Sequence, residues 1–86
     1  MTVENERDRA IRMAKEIYQQ KKAQGEDFSQ GPVLAEELMP DWCADVAHSP
    51  RQPVDNKPQN MCRSWQEGRV HHFVELDENG DLIRAM

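Results

Sequence analysis

Residues 31–48 read GPVLAEELMPDWCADVAH, and whether they form helix or strand sets how many strands the domain owns. Gly31-Pro32 suits the start of a short helix, because proline fits a first turn whose N–H has no helical partner. Leu34 and Leu38 follow at helical spacing around Glu36 and Glu37. Pro40 should stop that helix, since the residue before a proline is pushed out of the α region. Over Asp41–Ala47 two readings compete. Trp42, Cys43, Val46 and Ala47 make a helical face, while Trp42, Ala44 and Val46 alternate as a strand would. Two alanines, with no β-branched or aromatic cluster, tilt the reading towards helix.

Downstream, residues 40–62 read PDWCADVAHSPRQPVDNKPQNMC and hold Pro40, Pro50, Pro53 and Pro58. Proline fixes φ and removes a backbone donor, so the middle of this run fits neither one helix nor a central strand. Long irregular runs in a small domain are usually functional loops or linkers. Apolar and aromatic residues flank this one, which favours a packed loop. Pro58 then opens another helix, with Met61, Cys62 and Trp65 on one face and Gly68 as its stop.

The N-terminal segment reads as one long helix over about residues 4–24. Val3, Ala10, Ile11, Ala14, Ile17 and Tyr18 form a stripe at three-to-four spacing. Thr2 and Asn5 both suit the cap, Glu4, Glu6 and Asp8 suit the positive end of the helix dipole, and Gly25 suits the stop.

The C-terminus reads as a β-hairpin. Val70–Leu76 and Leu82–Ala85 flank Asn79-Gly80, a strong two-residue turn signal. A type I′ turn would pair Glu78 with Asp81, Leu76 with Ile83, Glu75 with Arg84, Val74 with Ala85 and Phe73 with Met86. One face then carries Val70, His72, Val74, Leu76, Ile83 and Ala85 towards the core. The other leaves Phe73, Leu82 and Met86 uncovered. An isolated hairpin is marginal in water, so two copies are expected to pair through it as a homodimer. A third strand at Asp41–Ala47, or cover from the N-terminal helix, is the competing explanation.

Composition bounds the rest. Residues 1–86 suffice for a single small domain. A chain this short buries only about 60–65% of the surface its unfolded form exposes. With 37% apolar and 6% aromatic residues the core is thin, which favours an oligomer or another protein partner. The net charge is -5, split as +2 over residues 1–24 and -7 over residues 25–86. An acidic body argues against nucleic acid, which needs a basic footprint. The basic residues of the first segment (Arg7, Arg9, Arg12, Lys15, Lys21 and Lys22) read as a solvated helix face. No apolar run approaches the ~18 residues of a membrane span, and the charged start carries no secretory h-region. A cytoplasmic location with two reduced thiols, Cys43 and Cys62, is therefore expected.

No motif specifies a reaction, so the chain is not assigned as an enzyme from its sequence. A zinc site would have to gather Cys43, His48, Cys62 and one of His71 or His72 from four places, with no C-x₂-C knuckle; no metal or other cofactor is expected. A nucleophile reading would set Cys62 beside His48, oriented by Asp45 or Asp55. The bland alternative makes both cysteines small core residues. His48, Arg51, Asp55 and Asn56 in the loop are the candidate ligand-binding residues. Arginine's fork suits carboxylate or phosphate, whereas Asp and Asn commonly satisfy a loop's own backbone.

The run GPVLAEELMPDWCADVAH, with PVDNKPQNMC and HHFVELDENGDLI after it, resembles an uncharacterised family of small bacterial and archaeal proteins. The resemblance spans most of residues 31–83. It implies a shared fold and carries no assigned activity or site residues. The expected fold is α+β: a long N-terminal helix, two or three short helices and a C-terminal β-hairpin. The expected function is a small cytoplasmic self-associating binding or interaction module. Its rival is a small enzyme or metal-dependent protein using the Pro40–Cys62 loop with a Cys/His site.

Overall fold

A computed structural model of the protein describes residues 4–86. A long helix, α1 (Glu6–Ala23), packs on one face of a four-stranded mixed sheet. The strands are β1 (Val33–Met39), β2 (Trp42–Val46), β3 (His72–Leu76) and β4 (Leu82–Ala85), in the spatial order β1-β2-β3-β4. β1 and β4 run antiparallel to their neighbours, and β2 and β3 are parallel. Among the described residues no helix is long and apolar enough to cross a membrane.

α1 forms where its pattern predicts. Asn5 caps it by accepting from the Asp8 amide at 2.8 Å. Ala10, Ala14 and Tyr18 lie four residues apart and are buried against the sheet. The two alanines let the helix approach closely, and Tyr18 stacks on Phe28 with ring centroids 4.5 Å apart. Val3 of the expected stripe and the Thr2 cap fall outside the described residues.

The helices expected over residues 32–47 are strands, which overturns a fold of several short helices. Met39 pairs with Trp42 across a two-residue corner, where Pro40 precedes Asp41 at φ +70°. Proline first and a positive φ second is the signature of a type II turn. So Pro40 turns a hairpin instead of ending a helix. β2 is buried at all five positions. Trp42, Ala44 and Val46 face α1, while Cys43 and Asp45 face the opposite side under the connection to β3. A strand covered on both faces loses the alternation that would announce it. The helix expected from Pro58 shrinks to one turn, α2 (Arg63–Gln66). Glu36 caps it from β1, accepting from the Arg63 and Ser64 amides at 2.9 and 2.7 Å.

The C-terminal hairpin forms with Glu75 opposite Arg84 and Val74 opposite Ala85, as its sequence predicts. Phe73 and Met86 exchange backbone hydrogen bonds at 2.9 and 3.0 Å. The turn differs from type I′. Asp77 donates to the Asp81 carbonyl at 2.7 Å, Gly80 donates to the Asp77 carbonyl at 3.0 Å, and Gly80 sits at φ +88°. The Asp77 carboxylate accepts from the Asn79 and Asp81 amides at 2.8 and 3.0 Å. Those bonds hold a three-residue loop closed by glycine in the left-handed region. Leu76 consequently faces Leu82, not Ile83, and Ile83 becomes the extra residue of a bulge.

Candidate functional site

Residues 47–71 carry the chain from β2 to the parallel β3 and lie over the outer face of the sheet. Asp55 organises this crossover. It is buried, and its carboxylate accepts from the His48 and Gln52 amides, each at 2.9 Å, and pairs with His48 Nδ1 at 2.9 Å. Burial pushes the Asp55 carboxyl up, but the Gln52 and His48 amides and the imidazole outweigh it, so its pKa lies below the usual value. The same contact raises His48 above the ordinary imidazole pKa, against burial. Gly31 makes room: a Cβ there would stand 2.7 Å from Asp55 Oδ1.

Arg51 bonds Asn56 Oδ1 at 2.9 Å, the Asp55 carbonyl at 3.1 Å and Glu75 Oε2 at 3.1 Å. Thus His48, Arg51, Asp55 and Asn56, the residues singled out from sequence, fall in one network. Asp55 and Asn56 tie the crossover to itself, His48 Nε2 also reaches Glu78 Oε2 in the β3–β4 turn at 3.4 Å, and Arg51 reaches β3 through Glu75.

Beneath the crossover is a cavity of about 310 Å³. Met61, Trp65, Phe73 and Met86 supply its apolar walls, and Asp45, Arg51, Glu75 and Arg84 its polar side. Trp65 meets Phe73 edge to face at 4.9 Å. The parallel register sets Asp45 beside Glu75 and Cys43 beside Phe73. Glu75 is buried and held by Arg51 at 3.1 Å and Arg84 at 3.2 Å. Asp45 has no such cover. It is 8% exposed, and its Oδ1 receives no hydrogen bond from a donor among the described residues. Burial, reinforced by the charge of Glu75 and by a hydrogen bond shared with its carboxylate, and opposed by Arg51 and the Cys62 amide, pushes the Asp45 carboxyl up to about 8. At neutral pH the carboxyl is mainly protonated, with Glu75 as the acceptor beside it.

Cys43 and Cys62 are joined as a disulfide, with Cα atoms 6.4 Å apart, within the usual range for a bridge. This corrects the expectation of two separate reduced thiols. It arises because β2 is a strand: Cys43 faces the crossover, and Cys62 ends the loop directly over it. Cys62 Sγ lies 3.9 Å from Asp45 Oδ2. The Cys62–His48 pairing weighed for a nucleophile does not form, since His48 faces a separate small cavity with Ser49 and Ile83. The zinc set does not gather either. His71 pairs with Asp41 at 2.7 Å and His72 stacks on Trp42 at 4.7 Å. Among the described residues no three metal-ligating side chains come together.

A wider groove of about 600 Å³ runs along β1 beside Gln59, Met61 and Gln66. Its acidic residue, Glu36, is already engaged as the α2 cap, so the groove offers little free chemistry. Sequence reasoning named Asp45 only as a possible orienting group for His48 and Glu75 only as the partner of Arg84, and placed neither at this cavity. Their signal was available: Cys43/Asp45 and Phe73/Glu75 alternate with apolar neighbours. It becomes visible only once residues 42–46 are read as a strand. Compared with protein-family models, curated proteins and solved structures, the chain matches none.

Proposed function

We propose that this protein is a small cytoplasmic binding module whose outer-face cavity takes a compact, largely apolar ligand carrying an N–H or O–H donor. One observation carries the reading: Asp45 Oδ1 is buried at the cavity and receives no hydrogen bond from a donor among the described residues. Leaving such a group unsatisfied costs about 1–3 kcal/mol, which a ligand donor would recover. The volume, about 310 Å³, suits a small molecule at the lower end of ligand sites. Trp65 and Phe73 favour an aromatic or branched aliphatic body. Arg51 and Arg84 are engaged by Glu75, so the site favours a donor over an anion.

The test is a panel of small aromatic and aliphatic amines and amides, read by Trp fluorescence and by NMR shifts of Asp45 and Phe73. Saturable shifts in the native protein, lost in Asp45→Ala, support the reading. A panel that moves neither residue overturns it. Assembly is a second element. β4 closes the sheet as an edge, and Leu82 and Met86 stay 37% and 62% exposed along it. Self-association through that edge would cover both.

A further inference from the structure

We propose that Cys43–Cys62 is a thiol-exchange site: a small thiol enters the cavity and opens the disulfide at Cys62, and Asp45 supplies the proton to the Cys62 sulfur when a second thiol releases it from the mixed disulfide. This goes beyond ligand binding, because it needs only that the cavity admit a thiol.

Placement is the first support. Both cysteines line the cavity, so the bridge forms part of its floor. Cys43 is fully buried and Cys62 is 2% exposed. Access is therefore restricted to a low-molecular-weight thiol or a thin chain, and Cys62 is the sulfur within reach.

The second support is Asp45. Its Oδ2 lies 3.9 Å from Cys62 Sγ, and Oδ1 receives no hydrogen bond from a donor among the described residues. A disulfide sulfur has no hydrogen to give a carboxyl, and burying the acid there carries a cost. Once reduced, the Cys62 thiol becomes a donor at that same oxygen. The reduced thiol is thus an added donor to a carboxyl that already has the Glu75 side chain and the Cys62 amide beside it. A bridge that merely stapled the crossover would need no acid beside it. Burial and the neighbouring Glu75 raise the Asp45 carboxyl to about 8, so it still holds a proton to give at neutral pH. The charged groups around it are Glu75 from β3, Arg51 from the crossover and Arg84 from β4. In the cytoplasmic setting proposed above, disulfides are usually transient, catalytic or sensing.

The chemistry balances with two equivalents of thiol as reductant. A thiolate forms an S–S bond to Cys62 Sγ while the Cys43–Cys62 bond breaks. The electron pair leaves on Cys43, which takes a proton from solvent. A second thiolate attacks the outer sulfur of the mixed disulfide. Cys62 leaves as a thiolate and takes the Asp45 proton, which solvent replaces. Two external thiols become one disulfide, and the protein bridge becomes two thiols.

The experiment treats native protein with mercaptoethanol, quenches by alkylation and separates the mixed disulfide from the dithiol by mass, so that the rate read is that of Cys62 release, the step that uses the Asp45 proton. The rate is expressed per thiolate across pH. Exchange is expected to complete without denaturant, with a rate per thiolate that falls about tenfold or more as pH rises through about 8, where Asp45 loses its proton. Asp45→Asn should slow exchange about tenfold or more at neutral pH and flatten the profile. Alkylation only after unfolding, or a flat wild-type profile, overturns the proposal. So does Asp45→Asn with an unchanged profile. If that variant fails to fold, the wild-type profile decides alone. The readout is release of Cys62 from the mixed disulfide, so a cavity that binds no amine or amide leaves this result intact, and the converse holds.

Discussion

Tyr18 lays its ring against Gly80 so closely that a Cβ on the glycine would stand 2.6 Å from the ring. The Tyr18 hydroxyl donates to the Glu78 carbonyl at 2.7 Å, so the helix reads both the shape and the backbone of the β3–β4 turn. Gly80→Ala meets two penalties: φ +88° for a residue with a Cβ, and the clash. It should destabilise by about 2 kcal/mol or more. Tyr18→Phe should cost about 1 kcal/mol for the lost bond. In a Tyr18→Ala background Gly80→Ala should cost clearly less, because the clash is gone. Urea midpoints check this, and strictly additive costs would show that the ring does not press on the turn.

His48 and Asp55 should give stability a pH window. Asp55 titrates below its ordinary value in the fold, so its contribution is present above about pH 4 and is lost as pH falls through the lowered pKa. His48 titrates above its ordinary value, so its contribution is full below about pH 6.5 and is lost as pH rises through the raised one. The pair therefore contributes most between those limits. Asp55→Asn should cost about 3 kcal/mol there, since it strips a buried pair that also holds two amides. A stability gap that stays constant across pH would count against the pairing.

Asp45 acts with the opposite sign. The folded carboxyl holds its proton to about 8, while an unperturbed one releases it near 3.8. Between those values the folded state binds more protons, so this group makes stability fall as pH rises. Asp45→Asn removes the effect. The variant should gain stability over wild type progressively from about pH 4 to about pH 8. Denaturant curves at several pH values check it, and a difference that does not grow with pH would place the Asp45 titration elsewhere.

The residues that were legible are those whose partners are near in sequence. The α1 stripe needs only its own spacing, and Glu75–Arg84 needs only a turn nearby. Leu76 faces Leu82, where a two-residue turn predicts Ile83, because the Asp77 side chain selects the three-residue loop. β2 was hidden for a different reason. Both its faces are covered, and its partner β3 begins about thirty residues on, in parallel, with no local turn to mark the pairing. The site divides the same way. The crossover's own residues, His48, Arg51, Asp55 and Asn56, stand in one short run. Asp45, Glu75 and the Cys43–Cys62 bridge meet only through the parallel register.

The sheet edge gives the last expectation. The original motive for a dimer was a hairpin standing alone, and β2 removes it by pairing with β3. The edge itself remains. β4 is one of the two edge strands, and no proline or lysine interrupts Leu82–Ala85. Arg7 takes the Ala85 carbonyl at 3.3 Å, which blunts one end, while Leu82 stays exposed at the other. Met86 both borders this edge and lines the cavity, so a partner strand would also narrow the cavity mouth. Sedimentation equilibrium at micromolar concentration should find a dimer of about 20 kDa, twice the 10.0 kDa chain. Leu82→Asp should shift it towards monomer by placing like charges across the two-fold axis. A monomer of 10.0 kDa, unchanged by Leu82→Asp, would mean that the Arg7 contact and the short strand suffice to keep the edge unpaired.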